Sequence, residues 1–152
     1  MRLSASKVIL AVRTIAKGEA AKTSIEESTG RKGIVEVREL DHSRYASVKS
    51  FAEKAKGLER LDVVVLNAGM YMFDFKLVED DEETITVNVI STMLLALLLL
   101  PKLRETAERE ESNSVMTFTG SFVHKDTMFP ERKAERIFEG LAIEKEARMD
   151  DR

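Results

Sequence analysis

The chain has 152 residues, enough for one domain with a real core and too few for two ordinary ones. Apolar residues make up 43% and charged residues 34%, with a net charge of -3, which describes a globular protein and excludes a fibre or a charged tail. No basic stripe interleaved with aromatics appears, so nucleic acid is not expected as a partner, and with no cysteine there is no disulfide, thiolate metal site or cysteine nucleophile.

The opening "MRLSASKVIL" has a basic start, but its apolar run is brief and leads into Arg13 and Lys17, unlike a signal peptide. The reducing cytosol is the default compartment. Val8 to Val12 is a continuous apolar run between Lys7 and Arg13, the pattern of a strand covered on both faces. Thr14 is placed to cap the following helix, which Gly30 stops. "GIVEVREL" reads as a second strand, and Ser43 as the cap of a helix with Tyr45, Val48, Phe51, Ala52 and Ala55 on one face.

Leu61 to Leu66 predicts a third strand, Thr84 to about Glu108 a long helix, and Ser114 to Thr119 a fourth strand. Pro101 is expected to kink the long helix or end its buried half. Within that helix "MLLALLLL" is far short of the roughly 20 apolar residues that span a bilayer, so a buried helix and no membrane partner are expected. From Pro130 the chain is mostly charged, with Ile137, Phe138, Leu141 and Ala142 as a narrow apolar stripe on a surface or partner-facing helix. Alternating strands and helices predict an α/β fold of about four parallel strands in a three-layer arrangement over a single domain, 1–152.

The order strand, Asn67-Ala68-Gly69, helix with "TVNVIST", strand ending in "TGS" resembles the short-chain dehydrogenase/reductase family along nearly the whole chain. Phrases such as "SKVILAVRTIAKGEAA" and "STMLLALLLLPKLRET" are most similar to reductases of fungal secondary metabolism. The resemblance implies a truncated Rossmann-like sheet. It would place Arg13 against the 2'-phosphate of NADP, Asp41 near the adenine, and Asn67, Ala68 and Gly69 beneath the ribose. It would make Asn88 the organiser of a proton-relay water and Ser121 the serine that hydrogen-bonds the substrate oxygen.

Two parts of the family pattern have no counterpart here. The glycine-rich TGxxxGxG turn, whose backbone N–H groups and helix dipole hold a pyrophosphate, is missing. So is the YxxxK acid, since Tyr45 and Tyr71 are the only tyrosines and both precede Ser121. No bound cofactor is therefore expected, and NADP only if another chain completes the site. The family's strand order would also leave a central edge bare, an aggregation risk that a closed-up sheet or a homodimer would remove.

Read for their chemistry, Arg13 is either a surviving phosphate contact or a solvated strand end. Asn67-Ala68-Gly69 is either a pocket floor or a turn, and Asn88 needs a polar partner in an apolar helix, a neighbouring backbone group before a catalytic one. His124 titrates near neutrality and can serve as acid or base beside Ser121. Tyr71 can offer a phenol at the same mouth or simply wall it. "GxS" at Gly120–Phe122 lacks the second glycine of a nucleophile elbow, which argues against a serine hydrolase. His42 reads as structural, and Asp80-Asp81 and Asp150-Asp151 as solvated surface with no metal site. Met70, Met72, Met93, Met116 and Met128 fall on segments that would frame a pocket for a hydrophobic ligand, or fill gaps in a core.

Three functional expectations follow. The first is a cofactor-independent isomerisation, dehydration or cyclisation of a small hydrophobic metabolite, with Ser121 and His124 handling protons and Tyr71 and Asn88 supporting. The second is an inactive subunit that pairs with itself or with a full-length relative. The third is an NADP-dependent oxidoreductase completed by a partner chain.

Overall fold

The structure, a computed structural model, describes residues 5–145, 147 and 149. The chain divides into two compact units, Met1–Asp41 and His42–Arg152. In the first, β1 (Val8–Val12) and β2 (Val35–Glu39) form a parallel two-stranded ladder with Val8 opposite Val35 and Val12 opposite Glu39. Helix α1 (Ile15–Thr29) crosses between them and ends at Gly30 in the left-handed region, as expected. It lies so close to the ladder at Gly18 that a Cβ there would stand 2.5 Å from Val37 Cγ1 and 2.7 Å from Val12 Cγ2. Only glycine fits that approach. Thr14 occupies the N-cap position in extended conformation, but its side chain makes no capping bond.

The second unit begins with α2 (Tyr45–Lys56), whose buried face is Val48, Phe51, Ala52 and Ala55. Strand β3 (Val63–Leu66) follows, then a hairpin, β4 (Leu77–Val78) and β5 (Asp81–Glu82), that nothing in the apolar pattern announced. Its two-residue turn puts Glu79 and Asp80 at φ 52° and 72°, the double positive φ of a type I′ turn. The hairpin supplies a cap that the sequence pattern did not point to. Helix α2 starts at Tyr45 with Arg44, one residue beyond Ser43, at the N-cap position, and Glu79 Oε1 accepts the Tyr45 N–H at 2.7 Å, capping the helix from 34 residues away.

The long helix has three parts: a single turn α3 (Glu83–Ile85), a π-helical stretch Thr86–Ser91, and α4 (Thr92–Arg109). Buried Glu82 caps its start by accepting from Thr84 N and Ile85 N. Pro101 does not end the buried half: α4 runs on to Arg109, with Lys102, Leu103 and Thr106 buried beyond it. The missing proline N–H would have met the carbonyl of Leu97, and Leu97 is 65% exposed, so water can satisfy that group.

Counted from Glu83 to Arg109 the helical run has 27 residues and is apolar enough to cross a bilayer, which length alone could not exclude. Its packing against α2 and β3, with Lys102 and Thr106 among its buried residues, makes it a core helix. Strand β6 (Val115–Phe118) pairs with β3 in parallel, Val63 opposite Val115 and Leu66 opposite Phe118. A 3₁₀ turn at Phe122–Lys125, another at Pro130–Lys133 and the short α5 (Ile137–Leu141) complete the described chain. Leu141 alone of the expected stripe is fully buried, while Phe138 is half exposed. Asp150 and Asp151 lie outside the described residues.

The parallel strands with crossover helices are those of a partial Rossmann-like fold. The strands form separate two-stranded ladders, one in each unit, rather than a closed-up sheet of four. Among the described residues each of these ladders holds two strands.

Candidate active site

In the second unit the carboxyl ends of β3 and β6 are fastened together. Thr119 N donates to Leu66 O at 2.9 Å, extending the ladder, and Thr119 Oγ1 donates to Asn67 Oδ1 at 2.9 Å. Asn67, Ala68 and Gly69 carry the chain past this knot. The next residue, Met70, is held at both backbone groups: its N–H donates to Asn88 Oδ1 at 2.8 Å, and its carbonyl accepts from Asn88 Nδ2 at 2.7 Å. One side-chain amide thus stands in for a neighbouring strand, the backbone bond the sequence called for.

Gly69 lies beside the same amide, where a Cβ would sit 3.4 Å from Asn88 Oδ1, an ordinary van der Waals contact. Asn88 lies in the π-helical stretch, a widened turn of the kind often found at functional sites. From the first residue of α4, Thr92 Oγ1 donates back to Val87 O in this stretch at 2.9 Å, and Thr86 Oγ1 donates to Val78 O at 3.1 Å in the hairpin. The hydroxyl of Ser91 is fully buried without a hydrogen-bond partner among the described residues, an uncommon state that the sequence pattern did not single out.

The loop from Met70 to Lys76 is also held at its far end. Glu83 N donates to Lys76 O at 2.8 Å, and Lys76 Nζ lies 3.0 Å from Glu83 Oε2. Between these anchors Tyr71 and Phe73 are exposed and meet edge to face, with ring centroids 4.9 Å apart and planes at 73°. Ser121 is exposed on the loop leaving β6. His124 falls in the 3₁₀ turn Phe122–Lys125, and its side chain lies outside the described part of the molecule. The structure therefore brings Asn67, Gly69 and Asn88 together around Met70, and puts Tyr71 and Ser121 on two loops at the same end of the β3–β6 ladder. Met93 and Met128 are exposed rather than packed.

Asp81 departs from its reading as solvated surface. It is half-buried, and burial first, then the charge of Asp80, raises its pKa, while the Tyr45 hydroxyl hydrogen-bonds it. The Tyr45 phenol is raised in turn, chiefly by burial and by the charges of Asp81 and Glu79. This acidic knot secures the hairpin to α2 and so fixes the entry to the helix that carries Asn88. The doubled acid before Glu82 and Glu83 was its only signal in the sequence.

Arg13 and Asp41 belong to the first unit, at the carboxyl ends of β1 and β2. Arg13 is exposed at the start of α1, a donor set suited to a single phosphate. A dinucleotide also needs a pyrophosphate cradle of glycine-borne N–H groups. In this chain Gly69 is turned against Asn88, and the close approach at Gly18 is filled by Val12 and Val37. Arg13 itself suits one end of NADP.

Parallel strands with crossover helices and loops gathered at their carboxyl ends define an α/β protein of the Rossmann-like type. The profile of the short chain dehydrogenase family matches residues 2–124, and this chain belongs to that family. It is 49% identical over 154 residues to the short chain dehydrogenase atnD of Emericella nidulans, covering 100% of this chain and 49% of that one. It is 41% identical over 152 residues to the short-chain dehydrogenase anuD of Penicillium roqueforti, covering 100% of this chain and 40% of that one. A short-chain dehydrogenase from Sphingobium yanoikuyae, solved in complex with NADPH, superposes with a TM-score of 0.63 at 19% identity, over 88% of this chain and 48% of that one. That likeness shows the fold. The chain spans about half the length of the relatives it matches.

Proposed function

We propose that the mouth at the carboxyl ends of β3 and β6 binds a small hydrophobic metabolite, and that the residues of this chain act on it by proton transfer. Isomerisation, dehydration or cyclisation suits such a site, because each needs a shaped mouth and one or two proton-handling groups but no electron carrier. Ser121 and His124 hold those roles, and Tyr71 contributes a phenol. Asn88 positions rather than reacts, since both ends of its amide are engaged by Met70. The observation that carries the reading is that the loop Met70–Lys76 at this end of the ladder is anchored at both ends, by Asn88 at Met70 and by Glu83 at Lys76, and so presents Tyr71 from a fixed base.

Likeness to fungal dehydrogenases points to secondary metabolism as the setting. The test is conversion of hydrophobic β-hydroxy ketones by the purified chain without added nucleotide. Ser121→Ala and His124→Ala are each expected to lower it by about 10²-fold or more. Turnover intact in both variants would remove the assignment.

A second reading is favoured by the bare face of the β3–β6 ladder, where Val63, Val65 and Val115 are 58%, 62% and 45% exposed. A parallel ladder is ordinarily covered on both sides. A further segment of polypeptide, or a second copy in a homodimer, would cover it and could complete an NADP-dependent oxidoreductase. Calorimetric titration with NADPH separates the two readings: micromolar binding supports completion, and no heat up to millimolar nucleotide supports the first. A monomeric mass at micromolar protein would count against the homodimer.

A further inference from the structure

The loop between Met70 and Lys76 exposes more apolar surface than its surroundings explain. Tyr71 is 56% exposed, Met72 38% and Phe73 69%. Single exposed apolar residues are ordinary, but a contiguous aromatic patch marks a binding surface. Looseness does not account for it. Met70 at one end is pinned by two hydrogen bonds to Asn88, and Lys76 at the other by a backbone bond and an ion pair to Glu83. Both anchors belong to the same helical run, Glu83–Ser91, so the rings are presented from a fixed base.

The rings also have a specific arrangement. At 4.9 Å and 73° the edge of one is set against the face of the other, and with more than half of each residue accessible they leave ring surface open to solvent. An aromatic face with its negative quadrupole prefers another aromatic in offset or edge-on contact, which adds to what area alone provides. Leucine or methionine would serve an aliphatic ligand equally well. Phe122, 76% exposed, stands on the loop that leaves β6 at the same end of the ladder.

We propose that Tyr71 and Phe73 form a shelf on which a planar aromatic ring system of the ligand stacks, so that the mouth selects conjugated over aliphatic molecules of equal hydrophobicity. This rests on the proposed hydrophobic-metabolite site and names the chemical class that site takes. The Tyr71 hydroxyl adds a polar handle at the rim, available to a phenol or carbonyl on the ligand.

The experiment is calorimetric titration of the full chain with 2-naphthol and with 1-octanol, repeated on Tyr71→Phe and on the double variant Tyr71→Leu/Phe73→Leu, with thermal melts to confirm that each is folded. The shelf predicts tighter binding of naphthol than of octanol by wild type, retained in Tyr71→Phe. It predicts a loss of about tenfold for naphthol in the double leucine variant, with octanol unchanged. Equal weakening of both ligands, no naphthol binding by wild type, or self-association that buries Tyr71 would each overturn it. Tyrosine fluorescence reads that last outcome, because the chain has no tryptophan and Tyr45 is its only other tyrosine. Naphthol bound through the rings with no turnover of any ketone leaves the shelf standing and removes the proton-transfer reading. Turnover without an aromatic preference does the reverse.

Discussion

The two faces of the β3–β6 ladder carry similar residues into opposite environments. On one, Leu66 is buried with α4 packed over the strand; on the other, Val63 and Val65 stand more than half exposed. Alternation along a strand sends neighbours to opposite sides, so one apolar run, "VVVL", supplies both faces. The run is written for burial on two sides and receives it on one. The covered face therefore reports what holds this unit together, and the open face reports what it is equipped to meet.

The comparison can be broken first at the core. Leu99→Ala, on the covering helix and 3% exposed, should cost about 2–5 kcal/mol, read by urea denaturation. Asn88→Ala should come next, at about 1–3 kcal/mol, because both polar groups of Met70 lose their partner in a half-buried setting. The same change should raise amide hydrogen exchange from Asn67 to Phe73 and leave α2 protected. Glu79→Asn keeps a residue that tolerates positive φ but shortens the cap on Tyr45, for an expected loss of about 1 kcal/mol.

A smaller effect lies in the first unit. Arg38 first, then Lys7, hold the Glu36 carboxyl down at about 2 from its ordinary 4.5. A depressed carboxylate stabilises the fold above its unfolded pKa and loses that contribution as pH falls from about 4.5 toward 2. The side chain is more than a third exposed, so Glu36→Gln should cost less than about 1 kcal/mol at pH 7 and little near pH 2. Smallest of all, Val65→Ser should change stability by less than about 0.5 kcal/mol if its face is open in solution. A loss approaching that of Leu99→Ala, together with a fall in solution mass, would show the face covered by a second copy and erase the contrast.

Much of this was legible in the chain. Val8–Val12 matches β1 residue for residue, and the buried face of α2 is the one its spacing marked. The backbone bond of Asn88 followed from the rule that a polar side chain among leucines must find a partner. The hairpin and its cap on α2 were not legible, because two-residue strands carry no periodicity and the Glu79–Tyr45 bond joins residues 34 apart. The shelf was half legible: Tyr71 was noticed for its phenol, whereas Phe73 gained meaning only from the ring beside it.

By itself the sequence determined the family and the alternation of strands and helices, since these are written in local patterns and short motifs. The structure decided which apolar residues are core and which are surface, and that Asn88 holds the turn rather than reaching outward. It also decided that the acidic run ties a hairpin to a helix. Those outcomes depend on which segments pack against each other, and a strand's side-chain alternation fixes the two faces without saying which of them another part of the chain will cover.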